Sequence, residues 1–414
     1  MARIYNIYEF IGDLTVPKDK DRFIAVTEST DYKNYRLNFG IKESNTNSAF
    51  VEMFGSMRKD GNGKVFSFSK STDVEKGSKL EILWKDRLKP EMVDMVADFK
   101  KYKIDLTEDK DIKNELYKLA YEIRTLEYNS NRTSAENEKL KADKLRYAEI
   151  SKDVHEFIAE FDMIQYIVEN IENLKNKKFK VKGSIEVNEH KGKFYRKFKV
   201  ESMELMPNDT RNQLRAEMDI FFDKDAVDDK DFEKDRKIYI NGYILSYNNK
   251  APKDAKNKDA FYPQQFVINA TKADLTNEEI VNRIAFLKEQ FDAKNEEVKH
   301  LLWNVSIFRG AEKEELKLED LTPKQRASVK LGYNKLEDYN KGGFLGQNKE
   351  ENRLVKPCFT DDFADGSALT DYSPDDLFYA TTEDEKIEDI KVEPPKETIE
   401  ETKKTSEDFD DIFA

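Results

Sequence analysis

Two strand-rich segments, each about a hundred residues long, flank a helical segment in this chain of 414 residues. Up to about residue 105, short β-rich runs alternate with turn-forming sequences such as Asp60-Gly61-Asn62-Gly63. In the second segment, the apolar residues of 179–187 alternate with polar ones, which is the period of a strand with one buried face. Short strands at such spacing favour small barrels or sandwiches. The order β, α, β predicts an α+β protein.

The segment between the two β-rich parts has a helical period. Ile112, Leu116, Leu119 and Ile123 recur every three or four residues, which predicts amphipathic helices within 107–177. The predicted organisation follows from these changes of period. It comprises an N-terminal β-rich domain (1–105), a helical region (106–177), a second β domain (178–275), an appended helical and β segment (276–345) and an acidic tail (346–414).

The net charge of −13 is unevenly distributed. Residues 359–414 contain 19 acidic residues and five lysines, whereas residues 1–358 contain 66 basic and 65 acidic residues. Such asymmetry between parts of a chain is typical of an interaction tail. The tail is rich in Asp, Glu, Thr and Pro, a composition that predicts disorder.

The basic residues are densest at the start of the second β segment. Residues 174–199 carry ten basic and two acidic side chains with four aromatic residues interleaved, and the hairpin turn falls at about 188–192. If Phe179, Val181 and Ile185 face inward, the lysines between them face outward together, and the same argument places Tyr195 outward on the next strand. On a later strand, inward Ile238, Ile240 and Ile244 leave Tyr239 and Tyr243 on the other face.

Lysines and tyrosines on one sheet face suit single-stranded nucleic acid, because cations track phosphates and aromatic rings stack on bases. The candidate binding residues are Lys178, Lys180, Lys182, Lys191, Lys193, Tyr195, Arg196, Lys197, Lys199, Tyr239 and Tyr243. Gly183 within the first strand and a phase change after Ser202 indicate a curved, bulged sheet. Together these features predict one or two OB-like β-barrels. The competing interpretation is a solvated, lysine-rich hairpin whose tyrosines cover a neighbouring helix.

The last residues form a second constellation. Apolar side chains return among aspartates at Asp408, Phe409, Asp410, Asp411, Ile412 and Phe413. An acidic, apolar end on a solvated linker is typical of a short docking motif. It resembles the acidic tip of bacterial and phage single-stranded DNA-binding proteins, although it has no proline between Ile412 and Phe413 and ends in an additional Ala414.

The resemblance implies a large phage or viral type of single-stranded DNA-binding protein that coats DNA during replication, recombination or repair and recruits partner enzymes through its tip. No nucleotide-binding, hydrolase or zinc-protease motif occurs, and Cys358 is the only cysteine beside three scattered histidines. We therefore expect no enzyme activity, no cofactor and no metal. We also expect no membrane span, and a cytoplasmic location. The alternatives are a scaffold or viral structural protein and, less favoured, a magnesium-dependent nuclease using scattered carboxylates.

Overall fold

The computed structural model describes residues 6–70, 79–190, 193–248, 250–252, 258–311, 313–314, 318, 321–336, 344–345, 348–358 and 369–377. Its strands are β1 (Asn6–Thr15), β2 (Ile24–Glu28), β3 (Tyr32–Ser44), β4 (Asn47–Arg58), β5 (Lys64–Phe68), β6 (Lys79–Leu83), β7 (Tyr102–Asp105), β8 (Val154–Phe157), β9 (Lys178–His190), β10 (Lys193–Leu205), β11 (Gln213–Phe222), β12 (Val227–Asp228), β13 (Lys237–Tyr247), β14 (Asp259–Asn269), β15 (Lys299–Gly310), β16 (Lys313–Glu314), β17 (Phe344–Leu345) and β18 (Lys349–Pro357).

The helices are α1 (Lys20–Phe23), α2 (Pro90–Met95), α3 (Lys110–Tyr128), α4 (Ser134–Ile150), α5 (Glu160–Leu174), α6 (Phe232–Asp235), α7 (Glu278–Glu289) and α8 (Pro323–Lys330), with 3-10 turns at Trp84–Asp86, Asp98–Lys100 and Pro374–Leu377. Helices α3, α4 and α5 confirm the predicted helical segment, although β8 interrupts it. The protein is mostly β. Among the described residues, no helix has the length and apolar character needed to cross a membrane.

Five strands pair in a closed circuit that we call the first ring. Strand β1 pairs with β3, β3 with β4, β4 with β10, β10 with β9, and β9 again with β1. The contact of β4 with β10 is parallel and the others are antiparallel. Helix α5 precedes the fourth strand, β9, and packs against β4. Buried residues such as Phe39, Val51 and Val181 line the interior, because alternate side chains point to one face of each strand.

A second ring repeats this order with other strands. Strand β11 pairs with β13, β13 with β14, β14 with β18, β18 with β15, and β15 with β11. Here too the third and fifth strands, β14 and β18, are parallel, and helix α7 precedes the fourth strand, β15. Phe266 and Trp303 are completely buried in this part of the core. Both rings contribute to one continuous apolar cluster.

Strand β1 also joins the two rings. Its residues 6–11 pair antiparallel with β11, so the first strands of both rings lie side by side. Two buried asparagines support the junction. The Asn6 amide donates to the Leu245 carbonyl at 3.0 Å, and Asn47 Oδ1 accepts the backbone N–H of Arg309 at 2.8 Å. These amides satisfy backbone groups that strand pairing leaves free, as buried polar groups require.

The pairings divide the chain differently from the predicted organisation. Strands β9 and β10 close the first ring with N-terminal strands, whereas β11, β13 and β14 close the second ring with β15 and β18. The prediction that disorder begins at residue 346 was wrong for β18, which supplies the fifth strand. Residues 369–377 are also placed, with Leu377 buried in a small cluster. The predicted tip, 408–413, lies outside the described residues.

Gly183 occupies the bulge that the sequence predicts. The register of β9 and β10 shifts between Val200 and Ser202, directly opposite Gly183. A Cβ atom at position 183 would lie 1.7 Å from the carbonyl oxygen of Lys199, so the backbone of β10 would have to move.

We therefore expect Gly183→Ala to lower the free energy of unfolding by about 2 kcal/mol, within the range for overpacked sites. Urea titration measures the change. Gly63→Ala is the matched control, because a Cβ there meets only the Trp84 side chain at 3.6 Å or beyond. Equal midpoints for the two variants would contradict the close approach.

Candidate nucleic-acid interface

The hairpin of β9 and β10 has the predicted parity. Phe179, Val181 and Ile185 are buried inside the first ring. In the register, Lys180 lies opposite Glu204, Lys197 opposite Glu186 and Lys199 opposite Ser184. The outward face of the hairpin therefore carries both charges.

Carboxylates neutralise most of the predicted cationic stripe. Lys182 pairs with Glu9 at 2.8 Å, Lys197 with Glu52 at 2.9 Å and Lys199 with Glu186 at 3.1 Å, while Lys180 pairs with Glu204 and Arg196 with Glu350. Of these five acidic partners, only Glu186 lies within residues 174–199, the basic segment of the sequence. Strand pairing brings the other acids from β1, β4, the end of β10 and β18. The hairpin is consequently much less positive than its sequence suggests.

Two further predicted residues point away from solvent. Lys178 is buried, and its ammonium donates to the carbonyls of Asn208 at 2.7 Å and Thr210 at 2.6 Å. The Arg196 side chain is also largely buried, which lowers its pKa. Lys193 and Tyr195 are exposed, Tyr195 by 49%. Lys191 lies outside the described residues.

The predicted tyrosines belong to different rings. Tyr195 belongs to the first ring, and Tyr239 and Tyr243 belong to the second. Tyr243 packs against the cluster that contains Phe221, Phe261 and Leu377, and burial raises its pKa. Tyr239 is half-buried opposite Val267.

A different group of residues, on the outward side of β4, has the composition expected of an interface. We call Arg36, Phe50, Phe54, Lys197 and Arg309 the β4 face. Phe54 is 51% exposed and lies opposite Arg36 in the β3–β4 register. The Arg309 guanidinium stands 5.3 Å from the centroid of the Phe50 ring. Aromatic rings of β4 thus lie beside cations from the neighbouring strands β3, β10 and β15.

Glu52 organises the cations of the β4 face. Its carboxylate accepts from the Arg36 guanidinium at 2.6 Å and pairs with the Lys197 ammonium at 2.9 Å. Burial acts to raise the pKa of Glu52, but these hydrogen bonds and charges hold the pKa below its ordinary value. A shared carboxylate fixes two long side chains in position and leaves one net positive charge among the three groups.

Sequence reasoning missed this face because it followed the density of lysines. The available signal was in 48–54, where Ala49, Val51 and Met53 supply the buried face and phenylalanines still occupy the other face at positions 50 and 54. Single exposed apolar residues are common on protein surfaces, so it is the cations beside these phenylalanines that distinguish this face.

Glu160, at the start of α5, adjoins the β4 face. It accepts the backbone N–H of Phe54 at 2.8 Å and the Tyr102 hydroxyl at 3.4 Å. Burial raises the pKa of Glu160 to about 7. Across the described part of the chain, no group of three or more His, Cys, Asp or Glu side chains is placed to hold a metal ion.

Neither known protein families nor curated proteins match this sequence. The solved structures that are similar at a low level include two of one protein. The wild-type single-stranded DNA binding protein from Thermus aquaticus has 7% identity and a TM-score of 0.29, over 86% of this chain and 93% of that chain. A deletion mutant of that protein has 8% identity and a TM-score of 0.30, over 86% of this chain and 95% of that chain. Similarity at these TM-scores does not assign a function to this chain.

The pKa of Glu160 predicts a pH dependence of stability. The ordinary pKa of a glutamate is 4.5, so the folded state binds this proton more tightly than the unfolded state. The contribution of Glu160 to stability therefore falls as pH rises from about 4.5 to about 7 and is constant above that range.

We expect Glu160→Gln to reduce the loss of stability between pH 5 and pH 8, because glutamine still accepts the Phe54 N–H and cannot ionise. Urea midpoints at both pH values measure this. Glu91→Gln, at an exposed carboxylate of α2, is the control and should leave the pH dependence unchanged. An unaltered pH dependence in Glu160→Gln would mean that the carboxylate is solvated.

Proposed function

We propose that this protein binds single-stranded DNA with little sequence preference, through the β4 face. The observation that carries the proposal is Phe54, a half-exposed aromatic ring directly beside Arg36 on the same sheet surface. Aromatic side chains stack on any base, and neighbouring cations contact the phosphates without reading sequence. Lys193 and Tyr195, at the end of the β9–β10 hairpin, would extend this surface.

The order of strands supports the proposal. We interpret both rings as OB-type barrels, because each has five strands, a parallel contact between the third and the fifth, and a helix before the fourth. OB-folds bind oligonucleotides on the face of their second and third strands and on the adjoining loops. In the first ring these strands are β3 and β4. The β4 face and the described end of the β9–β10 hairpin would occupy the corresponding positions.

The electrostatics of the β4 face suit weak, general binding of a phosphate chain. Arg36 and Lys197 are partly exposed and held by Glu52, and Arg309 is half-exposed with the Glu350 carboxylate at 3.9 Å. Arginines that are already ordered lose less side-chain entropy when they bind phosphate. Lys178 and Arg196 are largely buried, and Lys180 and Lys182 each have a carboxylate partner of their own, whereas Arg36 and Lys197 share one carboxylate. These four cations are therefore less suited to this role.

The acidic tip has a separate role in the proposal. We propose that residues 408–413 recruit partner proteins of replication, recombination or repair, with Phe409, Ile412 and Phe413 entering an apolar pocket and the aspartates meeting its basic rim. The proposal assigns DNA binding to the folded rings and recruitment to the tail, and it requires no catalytic step.

The ion pairs of the hairpin favour a second candidate function. A surface whose lysines pair with the protein's own carboxylates suits a non-enzymatic scaffold or viral structural protein, in which the charges only solvate the chain. Titration of fluorescein-labelled oligo(dT) with the full-length protein at low salt distinguishes the two. A saturable rise in anisotropy supports DNA binding, whereas an unchanged signal supports the scaffold.

Phe54→Ala tests the stacking role directly. Loss of one base-stacking aromatic residue costs about 1–3 kcal/mol, so we expect oligo(dT) to bind roughly 5-fold to 150-fold more weakly. Phe66→Ala is the matched control, since Phe66 is 72% exposed on β5, which pairs with β6 in a separate sheet. Equal losses in both variants, or none in Phe54→Ala, would refute the assignment of the β4 face.

Arg309→Gln tests the phosphate contacts. The logarithm of the binding constant should fall with the logarithm of salt concentration, and removing one phosphate contact should reduce this slope by about 0.7. Lys141→Gln, at an exposed position of α4, removes the same charge from the helical insertion and should keep the slope of the unmodified protein. A slope that is the same for all three proteins would show that Arg309 makes no phosphate contact.

A further inference from the structure

A groove of about 510 Å³ lies between α7 and the strands of the second ring. Arg283, Ile284 and Ile280 form the helical side, while Arg353 and Leu354 from β18 and Arg215 from β11 contribute to the other side. The volume is within the range of roughly 300–1,000 Å³ that is typical of ligand sites. None of these residues belongs to the β4 face.

The charge of the groove is entirely positive. Arg215, Lys272, Arg283 and Arg353 line it, and the lining contains no aspartate or glutamate. Arg353 pairs with Glu351 at 2.7 Å, but Arg215, Lys272 and Arg283 have no ion-pair partner among the described residues. This differs from the β9–β10 hairpin, where lysines of the outward face are matched by carboxylates.

Arg215 gives the clearest indication of an absent ligand. Its Nη1 atom is buried and has no hydrogen-bond partner in the described structure. A buried donor of a charged group without a partner costs free energy that a bound acceptor would recover. An anion in the groove would supply this acceptor once the Arg215 side chain turned its Nη1 toward the groove.

The walls of the groove are apolar. Ile280 and Ile284 line it from α7 on one side, and Leu354 lies on the other. The groove therefore fits a ligand that combines carboxylates with large apolar side chains, and it is less suited to a bare phosphate chain.

We propose that the protein's own C-terminal tip, residues 408–413, occupies this groove. Phe409, Ile412 and Phe413 match the apolar walls, and Asp408, Asp410 and Asp411 match the unpaired cations. The tip carries both kinds of side chain that the groove accepts, because it combines three aspartates with three large apolar side chains within six residues.

The connection is long enough. Leu377 is the last described residue, and the 31 residues from there to Asp408 span up to about 100 Å when extended. A body of this size has a diameter of roughly 55 Å, from a radius of gyration of about 21 Å. A tethered ligand also acts at an effective concentration in the millimolar range, so even weak contacts populate the docked state.

This docking goes beyond the proposed function, and only its consequence for partner binding rests on the proposed recruitment by the tip. The groove and the β4 face have no residue in common, so DNA and tip would have separate sites. A partner protein that binds the tip must first compete with the groove. The tip would thereby be held back from weak partners and released only to those that bind it more tightly.

The test uses a fluorescein-labelled peptide of residues 407–414 and full-length protein whose own tip carries Phe409→Ala, Ile412→Ala and Phe413→Ala. Fluorescence anisotropy should show saturable binding to this variant. The unmodified protein should bind the peptide at least about tenfold more weakly, because its own tip occupies the groove at a high effective concentration.

Arg283→Ala in the tip-substituted protein should weaken peptide binding at least about fivefold, as expected for losing one charge-assisted contact. Asn282→Asp is the matched control, since it lowers the charge of the same helix by one at the neighbouring position, outside the groove. It should change the affinity by less than about twofold, within the range of surface substitutions.

Several outcomes would overturn the proposal. These are the absence of peptide binding to the tip-substituted protein, equal effects of Arg283→Ala and Asn282→Asp, and displacement of the peptide by oligo(dT), which would assign the cations to phosphate. If the unmodified protein binds the peptide more weakly than the tip-substituted protein only at high protein concentration, the tip of a second copy occupies the groove instead. The peptide titrations contain no DNA, so their result is independent of whether the β4 face binds DNA.

Discussion

The architecture depends on how β1 divides its two edges. One edge pairs with β9 along 7–13, while the other pairs first with β11 along 6–11 and then with β3 along 13–15. A single ten-residue strand thus closes the first ring and fixes the second ring beside it. Because strand pairing alternates side chains strictly between two faces, β1 also sets which residues of both rings point inward. A change of register by one residue in β1 would expose Tyr8 and Phe10 and bury Glu9.

The same closure creates the β4 face. The first ring closes only when β10 reaches β4, after the long insertion that contains α3, α4 and α5, and the entropic cost of such a loop grows slowly with its length. The contact is one parallel register pair, Lys199 with Glu52. It places Lys197 next to a carboxylate already bound to Arg36. Three residues distant in sequence therefore become one charged unit beside Phe54, and the insertion supplies Glu160 at the edge of that unit.

Sequence patterns predicted the parity of β9, the bulge at Gly183 and the helical insertion, because each follows from local periodicity and sterics. They could not predict that the lysines form ion pairs, because Glu9 and Glu52 meet Lys182 and Lys197 only through strand pairing over long sequence distances. Strand β18 was missed for a related reason. Its buried positions include Glu351, which pairs with Lys237, and Asn352, whose amide donates to the Gln265 carbonyl at 2.9 Å. An interior strand that is buried through polar pairing has no hydrophobic alternation for sequence reasoning to detect.

The distribution of paired and unpaired charge connects the two proposed sites. The body of the chain is almost neutral, with 66 basic and 65 acidic residues up to position 358, and on the hairpin this neutrality is realised as individual ion pairs. Such pairs contribute little stability at a surface, but they prevent lysines from attracting a polyanion indiscriminately. Only cations without a carboxylate partner then remain available to attract an anion, and their position determines where it binds. Within the described structure, such cations border the apolar groove beside α7, namely Arg215, Lys272 and Arg283. The surplus of carboxylates lies in 359–414. Charge is therefore balanced within the folded body, whereas the tail carries an excess of carboxylates. The unpaired cations of the body can attract this tail without any other molecule.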